Sequence, residues 1–127
     1  MAYTVLLVDD SETIREAMVR AFAMTRLPME EILRAANGAE ALGVLRERWV
    51  DIVLTDINMP TMGGEELVRA MKADAELSDI PVAVLSSDGS KARMDRLREL
   101  GAVGYLRKPC RPEMIRDLLH EVLGDWT

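Results

Sequence analysis

The chain has 127 residues, enough for one ordinary domain, and 49% of them are hydrophobic, so it can bury a core. A net charge of −6 argues against non-specific binding to nucleic acid or to an anionic membrane, because phosphates would be repelled. The single cysteine, Cys110, excludes an internal disulfide, and no basic leader or apolar run of ~20 residues marks a signal peptide or a membrane span.

A soluble cytoplasmic protein is therefore expected, with Cys110 an inert small packing residue. Its core must be aliphatic, since only 4% of residues are aromatic, with nine methionines to fill irregular gaps.

Val5-Leu6-Leu7-Val8 reads as a buried strand, and it ends in Asp9-Asp10. Ser11-Glu12-Thr13 suits a helix start, and Ile14, Met18, Ala21 and Phe22 recur at helical spacing, so a helix is expected over about 12–25. Glu31 to Ala36 is ambiguous alone; it reads as an edge strand because Asn37-Gly38 stops it and a helix from Ala39 to Arg46 follows.

Asp51 to Thr55 is the next strand, and it ends at Asp56. Met59-Pro60 breaks the pattern, and Gly63-Gly64 is expected to loosen the turn before a helix over about 64–73, with Leu67, Ala70 and Met71 inward. Pro81 to Leu85 is a fourth strand, running into Ser86-Ser87-Asp88. A helix over about 90–100, with Met94, Leu97 and Leu100 inward, closes at Gly101. Val103 to Leu106 is the fifth strand, ending at Arg107-Lys108-Pro109. Arg111 to Leu123 is the last helix, with Met114, Ile115, Leu118, Leu119 and Val122 along its inner stripe.

Five strand–helix units imply a doubly wound parallel sheet, (βα)5, with helices on both faces and right-handed crossovers. Nothing marks a linker or repeat, so residues 1–127 are expected to be one domain. In such a sheet every strand's carboxyl end lies on one edge. In the flavodoxin-like order 2-1-3-4-5, strands one and three are neighbours at the switch point, where ligands bind. Asp9, Asp10 and Asp56 would then share a pocket, with Ser86 and Lys108 at the next two strand ends.

Three carboxylates together repel one another and raise one another's pKa. A hard divalent cation relieves this, and Mg²⁺ suits two carboxylates, a carbonyl and waters. Carboxylate nucleophile, Mg²⁺, lysine and hydroxyl are the parts for phosphoryl transfer to an aspartate. Singly, an aspartate is a cap, a lysine a solvated charge and a serine a turn former; their placement at matching strand ends is what carries the reading.

The sequence resembles the receiver domains of two-component response regulators, the stand-alone chemotaxis type in particular. The resemblance covers nearly the whole chain. It rests on Leu7-Val8-Asp9-Asp10-Ser11, Asp56-Ile57-Asn58-Met59-Pro60, Pro81-Val82-Ala83-Val84-Leu85-Ser86 and Tyr105-Leu106-Arg107-Lys108-Pro109. It implies that Asp56 accepts a phosphoryl group from a histidine kinase or phosphotransfer protein. Asp10 would be a direct metal ligand, Asp9 one acting mainly through water, and Asn58 a ligand through its backbone carbonyl. Ser86 would be the switch hydroxyl, Lys108 the phosphate partner and Tyr105 the aromatic that moves with Ser86. Lys108-Pro109 would be a cis peptide.

The resemblance further implies a protein target on the face made by the fourth helix, fifth strand and fifth helix. Asn58 and Asp88, just past strand ends facing the acceptor, would tune the lifetime of the phosphoryl group. Three positions depart from the family pattern: Gly63 stands where an acid is common, Cys110 where an aromatic is common, and the switch residue is Ser rather than Thr.

Three rival functions fit these residues less well. A phosphatase of the haloacid-dehalogenase type needs a second acid two residues after its nucleophile, where this chain has Asn58. A flavin mononucleotide binder needs a Ser/Thr/Gly-rich phosphate loop after strand one, where Asp9-Asp10 would repel the phosphate. A degenerate receiver, signalling by binding without phosphorylation, would not need the acids, Ser86 and Lys108 together.

Overall fold

The computed structural model describes residues 2–87 and 89–124. The elements are β1 (Tyr3–Val8), α1 (Glu12–Thr25), β2 (Met29–Ala35), α2 (Gly38–Glu47), β3 (Ile52–Asp56), α3 (Gly64–Ala73), β4 (Val82–Ser86), α4 (Lys91–Leu100), β5 (Gly104–Arg107) and α5 (Pro112–Leu123). The five strands form one sheet in the order β2-β1-β3-β4-β5, every pair parallel. The architecture and strand order are those expected, and β2 is indeed an edge strand. No helix among the described residues is long and apolar enough to cross a membrane.

Alternation along the strands divides the core into two layers, because successive side chains leave opposite faces of the sheet. Val5, Leu7, Ile52, Leu54, Ala83 and Leu85 pack with α1 and α5. Leu6, Val8, Val53, Val82 and Val84 pack on the other face with α2, α3 and Leu97 of α4. The central strands are buried on both faces, as their unbroken apolar runs require.

Four local expectations change, the first in α4, where only Leu97 of the three residues expected inward is buried. Asn37-Gly38 opens α2 rather than merely stopping β2: Asn37 Oδ1 accepts from Glu40 N–H at 3.0 Å, and Gly38 is already helical. In α3 the buried side chains beyond Gly64 are Leu67, Val68 and Met71, while Ala70 is only partly covered, because the helix is rotated to put Val68 against the sheet. Gly63-Gly64 tightens the chain instead of loosening it. Gly64 N–H donates to Ile57 O at 2.8 Å, and a Cβ on Gly64 would lie 2.1 Å from the Asp56 carbonyl oxygen. Glycine is needed there for close backbone approach, with no unusual dihedral involved. Gly63 caps α3 without a side-chain hydrogen bond, as the missing acid implies.

Candidate functional site: the acidic edge of the sheet

β1 and β3 are adjacent, so their carboxyl ends present Asp9, Asp10 and Asp56 together. One carboxylate oxygen from each lies within 4.8 Å of the others. Their environments differ. Asp9 is 3% exposed, Asp56 is half-buried and Asp10 is exposed.

Asp9 is held at both oxygens. Oδ1 accepts from Ser11 N–H at 2.9 Å, and Oδ2 accepts from Lys108 Nζ at 2.9 Å. The same Lys108 ammonium lies 3.3 Å from Asp56 Oδ1, which also accepts from Ile57 N–H at 2.8 Å. Lys108 reaches the pocket because β5 runs beside β4, and Lys108 N–H donates to Ser86 O at 2.8 Å. The Lys108-Pro109 peptide is cis, as expected.

Burial pushes the Asp56 carboxyl above its ordinary range. The Lys108 charge and the Ile57 hydrogen bond pull the other way without cancelling it, and the Asp9 charge adds to the rise. For Lys108, burial opposes the charge, but the Asp9 hydrogen bond and the Asp56 charge outweigh it and raise the ammonium's pKa. The lysine is therefore a firmly protonated bridge between two acids. Cys110 is partly buried, and burial raises its thiol to about 11, which leaves it a poor nucleophile.

Ser86 is buried, at the end of β4, in register with Arg107. By alternation it shares a face with Val82 and Val84, and Tyr105 packs on that same layer, half-buried. Asn58 is exposed and borders a groove with Glu65, Arg69, Arg93 and Arg96. Asp88 lies outside the described residues.

Two features of this edge were not read from the sequence. Arg15 Nη1 donates to the Asp9 carbonyl at 2.5 Å. Glu65, one residue past the tight Gly64, accepts from Arg96 of α4 at 2.7–2.8 Å and from Arg69 at 3.0 Å. Glu65 and Arg96 are 31 residues apart, so no local pattern signals that contact.

A model of the response regulator receiver domain matches residues 5–120. A chemotaxis protein CheY homolog from Campylobacter jejuni is 35% identical, over 94% of this chain and 91% of its own length. The two-component response regulator ORR3 of Oryza sativa is 38% identical, over 94% and 89%. The structure of the chemotaxis response regulator CheY4 of Vibrio cholerae superposes with a TM-score of 0.85 at 31% identity, covering 96% of this chain and 99% of that one. With this match and a lysine-bridged acidic pocket where β1 and β3 end, the chain belongs to the response regulator receiver domain family of two-component systems and is CheY-like.

Proposed function

We propose that this protein is a phosphoacceptor switch that takes a phosphoryl group on Asp56 from a histidine kinase or phosphotransfer protein and thereby changes its affinity for a protein partner. The observation that carries the reading is the convergence of Asp9, Asp10 and Asp56, with Lys108 bridging Asp9 and Asp56. In the transfer, a carboxylate oxygen of Asp56 bonds to phosphorus and the donor's N–P bond breaks, its electron pair returning to the histidine nitrogen. Ile57 N–H and Lys108 both hold Oδ1, so the carboxylate is fixed with Oδ2 as the attacking oxygen. Lys108 then meets the phosphoryl oxygens. Water later cleaves the acyl phosphate and regenerates the carboxylate, a self-limiting reaction rather than catalysis on outside substrates.

The donor set also fits Mg²⁺: all-oxygen ligands, close together, with exposed Asp10 open to an ion that keeps several waters. Asp10, Asp56 and the Asn58 carbonyl would hold it directly, and Asp9, whose oxygens are already engaged, through water. Bound there, the ion supplies charge neutralisation for the phosphoryl oxygens.

Ser86 and Tyr105 form the readout in this reading. A phosphoryl group draws the Ser86 hydroxyl inward by a charge-assisted hydrogen bond, and Tyr105 on the same layer turns into the vacated space. The α4–β5–α5 face then presents a changed surface, with Lys91, Met94 and Tyr105 on it, to the partner. Asn58 and Asp88 set how long the phosphoryl group survives. The working compartment is the cytoplasm, without nucleic-acid or membrane partners.

The test is a small phosphodonor with Mg²⁺. One hydroxylamine-labile phosphoryl group is expected on the wild type and none on Asp56→Asn; uptake by the variant at the wild-type rate overturns the assignment. Ser86→Ala should still accept the group yet lose most of the gain in partner affinity produced by a stable phosphoryl mimic.

A further inference from the structure

Asp10 is the least supported member of the acidic cluster. Asp9 is tied to β2 through its N–H, which donates to Ala35 O at 3.0 Å, and to Ser11 and Lys108 through its carboxylate. Asp10 is exposed, and its side chain makes no hydrogen bond or ion pair among the described residues. What then holds its carboxylate toward the other two is the orientation of the peptide unit that precedes it.

The oxygen of that unit is the Asp9 carbonyl, and it accepts from Arg15 Nη1 at 2.5 Å. Arg15 stands one turn into α1, partly buried, and its own N–H closes that turn onto Ser11 O at 3.0 Å. Ser11 in turn caps the helix, its Oγ accepting from Ile14 N–H. Arg15 is thus fixed at its base by the helix and at its tip by the carbonyl. A guanidinium is a planar, permanently charged donor, and charge-assisted hydrogen bonds of this kind are the strong ones.

The geometry points to Arg15 as a positioning residue for the cation site: it sets the plane of the Asp9–Asp10 peptide and so keeps the Asp10 carboxylate beside Asp9 and Asp56. This rests on the metal reading given above. It also carries a sign. By charge alone, an arginine beside the pocket opposes a cation, so its removal would tighten binding. As a brace, its removal weakens binding, because Asp10 is released.

The experiment is a Mg²⁺ titration followed by NMR shifts of the Asp10 and Ile57 amides, with the thermal midpoint measured alongside. Arg15→Met should bind Mg²⁺ about tenfold more weakly, the scale typical of a lost partner behind a metal ligand. Arg15→Lys, which keeps a charged donor, should recover part of that loss. In an Asp10→Asn background, Arg15→Met should change affinity by less than about twofold, since the braced ligand is already gone.

Unchanged or tighter binding by a folded Arg15→Met overturns the proposal, as does full additivity with Asp10→Asn. Should Arg15→Met not fold, Arg15→Lys decides: a loss that disappears in the Asp10→Asn background supports the brace, and wild-type affinity overturns it. If Asp10→Asn alone leaves Mg²⁺ affinity intact, the metal reading itself falls, and the brace with it.

Discussion

Helices α4 and α5 precede and follow β5 in the chain, yet they are held in different ways. α5 sinks Ile115, Leu118 and Leu119 into the core, and Leu118 lies so close to β5 that a Cβ on Gly104 would stand 2.6 Å from its Cδ1. α4 buries one side chain, Leu97, and six of its ten residues are charged. Its ties among the described residues include two at the surface: Lys91–Asp95 within the helix at 3.3 Å, and Arg96–Glu65 to α3 at 2.7 Å. Apolar burial of one Leu is worth roughly 1.5–3 kcal/mol, whereas an exposed ion pair is worth about 0–1 kcal/mol. α5 is therefore part of the scaffold, and α4 is the more weakly held of the two; in the switch proposed above it is the element that would move. Regions that must respond are drawn from the weakly held parts of a fold.

Truncation of the two helices' anchors should separate them most. Leu119→Ala should lower global stability by about 3 kcal/mol, within the range for a fully buried Leu that cannot be replaced by collapse of its surroundings. Leu97→Ala should fall nearer the low end, about 2 kcal/mol, because α4 can settle onto the vacated space. Denaturant titration gives the first quantity and amide exchange the second: α4 amides should exchange much faster in Leu97→Ala while α5 amides follow global unfolding. Equal losses with no α4-specific exchange would erase the distinction.

The acidic edge should behave as neither helix does, since its strain is electrostatic. Burial raises the folded-state pKa of Asp56, so folding favours the protonated form. That contribution is present at low pH and is lost as pH rises through the carboxyl's range, above about 4. At neutral pH, Asp56→Asn should therefore melt higher than the wild type, and the advantage should shrink on acidification. A lower melting point at pH 7 would mean that the Lys108 contact outweighs burial.

The smallest effect is expected at the α3–α4 tie. The Arg96 hydrogen bond, aided by the charges of Arg69 and Arg93, holds the Glu65 carboxyl below its ordinary range despite slight burial. A depressed carboxylate stabilises above its unfolded value and loses that contribution as pH falls through its folded one. Glu65 is partly exposed and screened, so Glu65→Gln should reduce global stability by less than about 1 kcal/mol. It should still speed exchange of α4 amides, an effect that disappears in roughly 1 M salt and fades as pH falls below the ordinary carboxylate range. α4 exchange indifferent to both salt and this substitution would mean that the Glu65 contact does not help to hold the helix.

How much of this was legible in the chain depends on the range of each interaction. Apolar runs such as Val5–Val8 and Val82–Leu85, and helical spacing such as Ile115–Leu118–Leu119, are local periodicities, and they declared the strand–helix order. Once that order implies a parallel sheet, Asp9, Asp10, Asp56, Ser86 and Lys108 must fall on one edge, because each stands at or just past the carboxyl end of a strand. Short turns were already harder: Gly63-Gly64 looked like slack, and only the packed chain shows Gly64 against the Asp56 carbonyl. The contacts that depend on long side chains crossing between elements were decided by tertiary structure alone. Lys108 is expected at this edge but not as a bridge from Asp9 to Asp56, Arg15 could have paired with a nearby acid on its own helix, and Arg96 had no visible reason to seek Glu65. Flexible, charged side chains have many reachable partners of similar energy, and the choice is made by which backbone carbonyls and carboxylates the fold brings within about 3 Å.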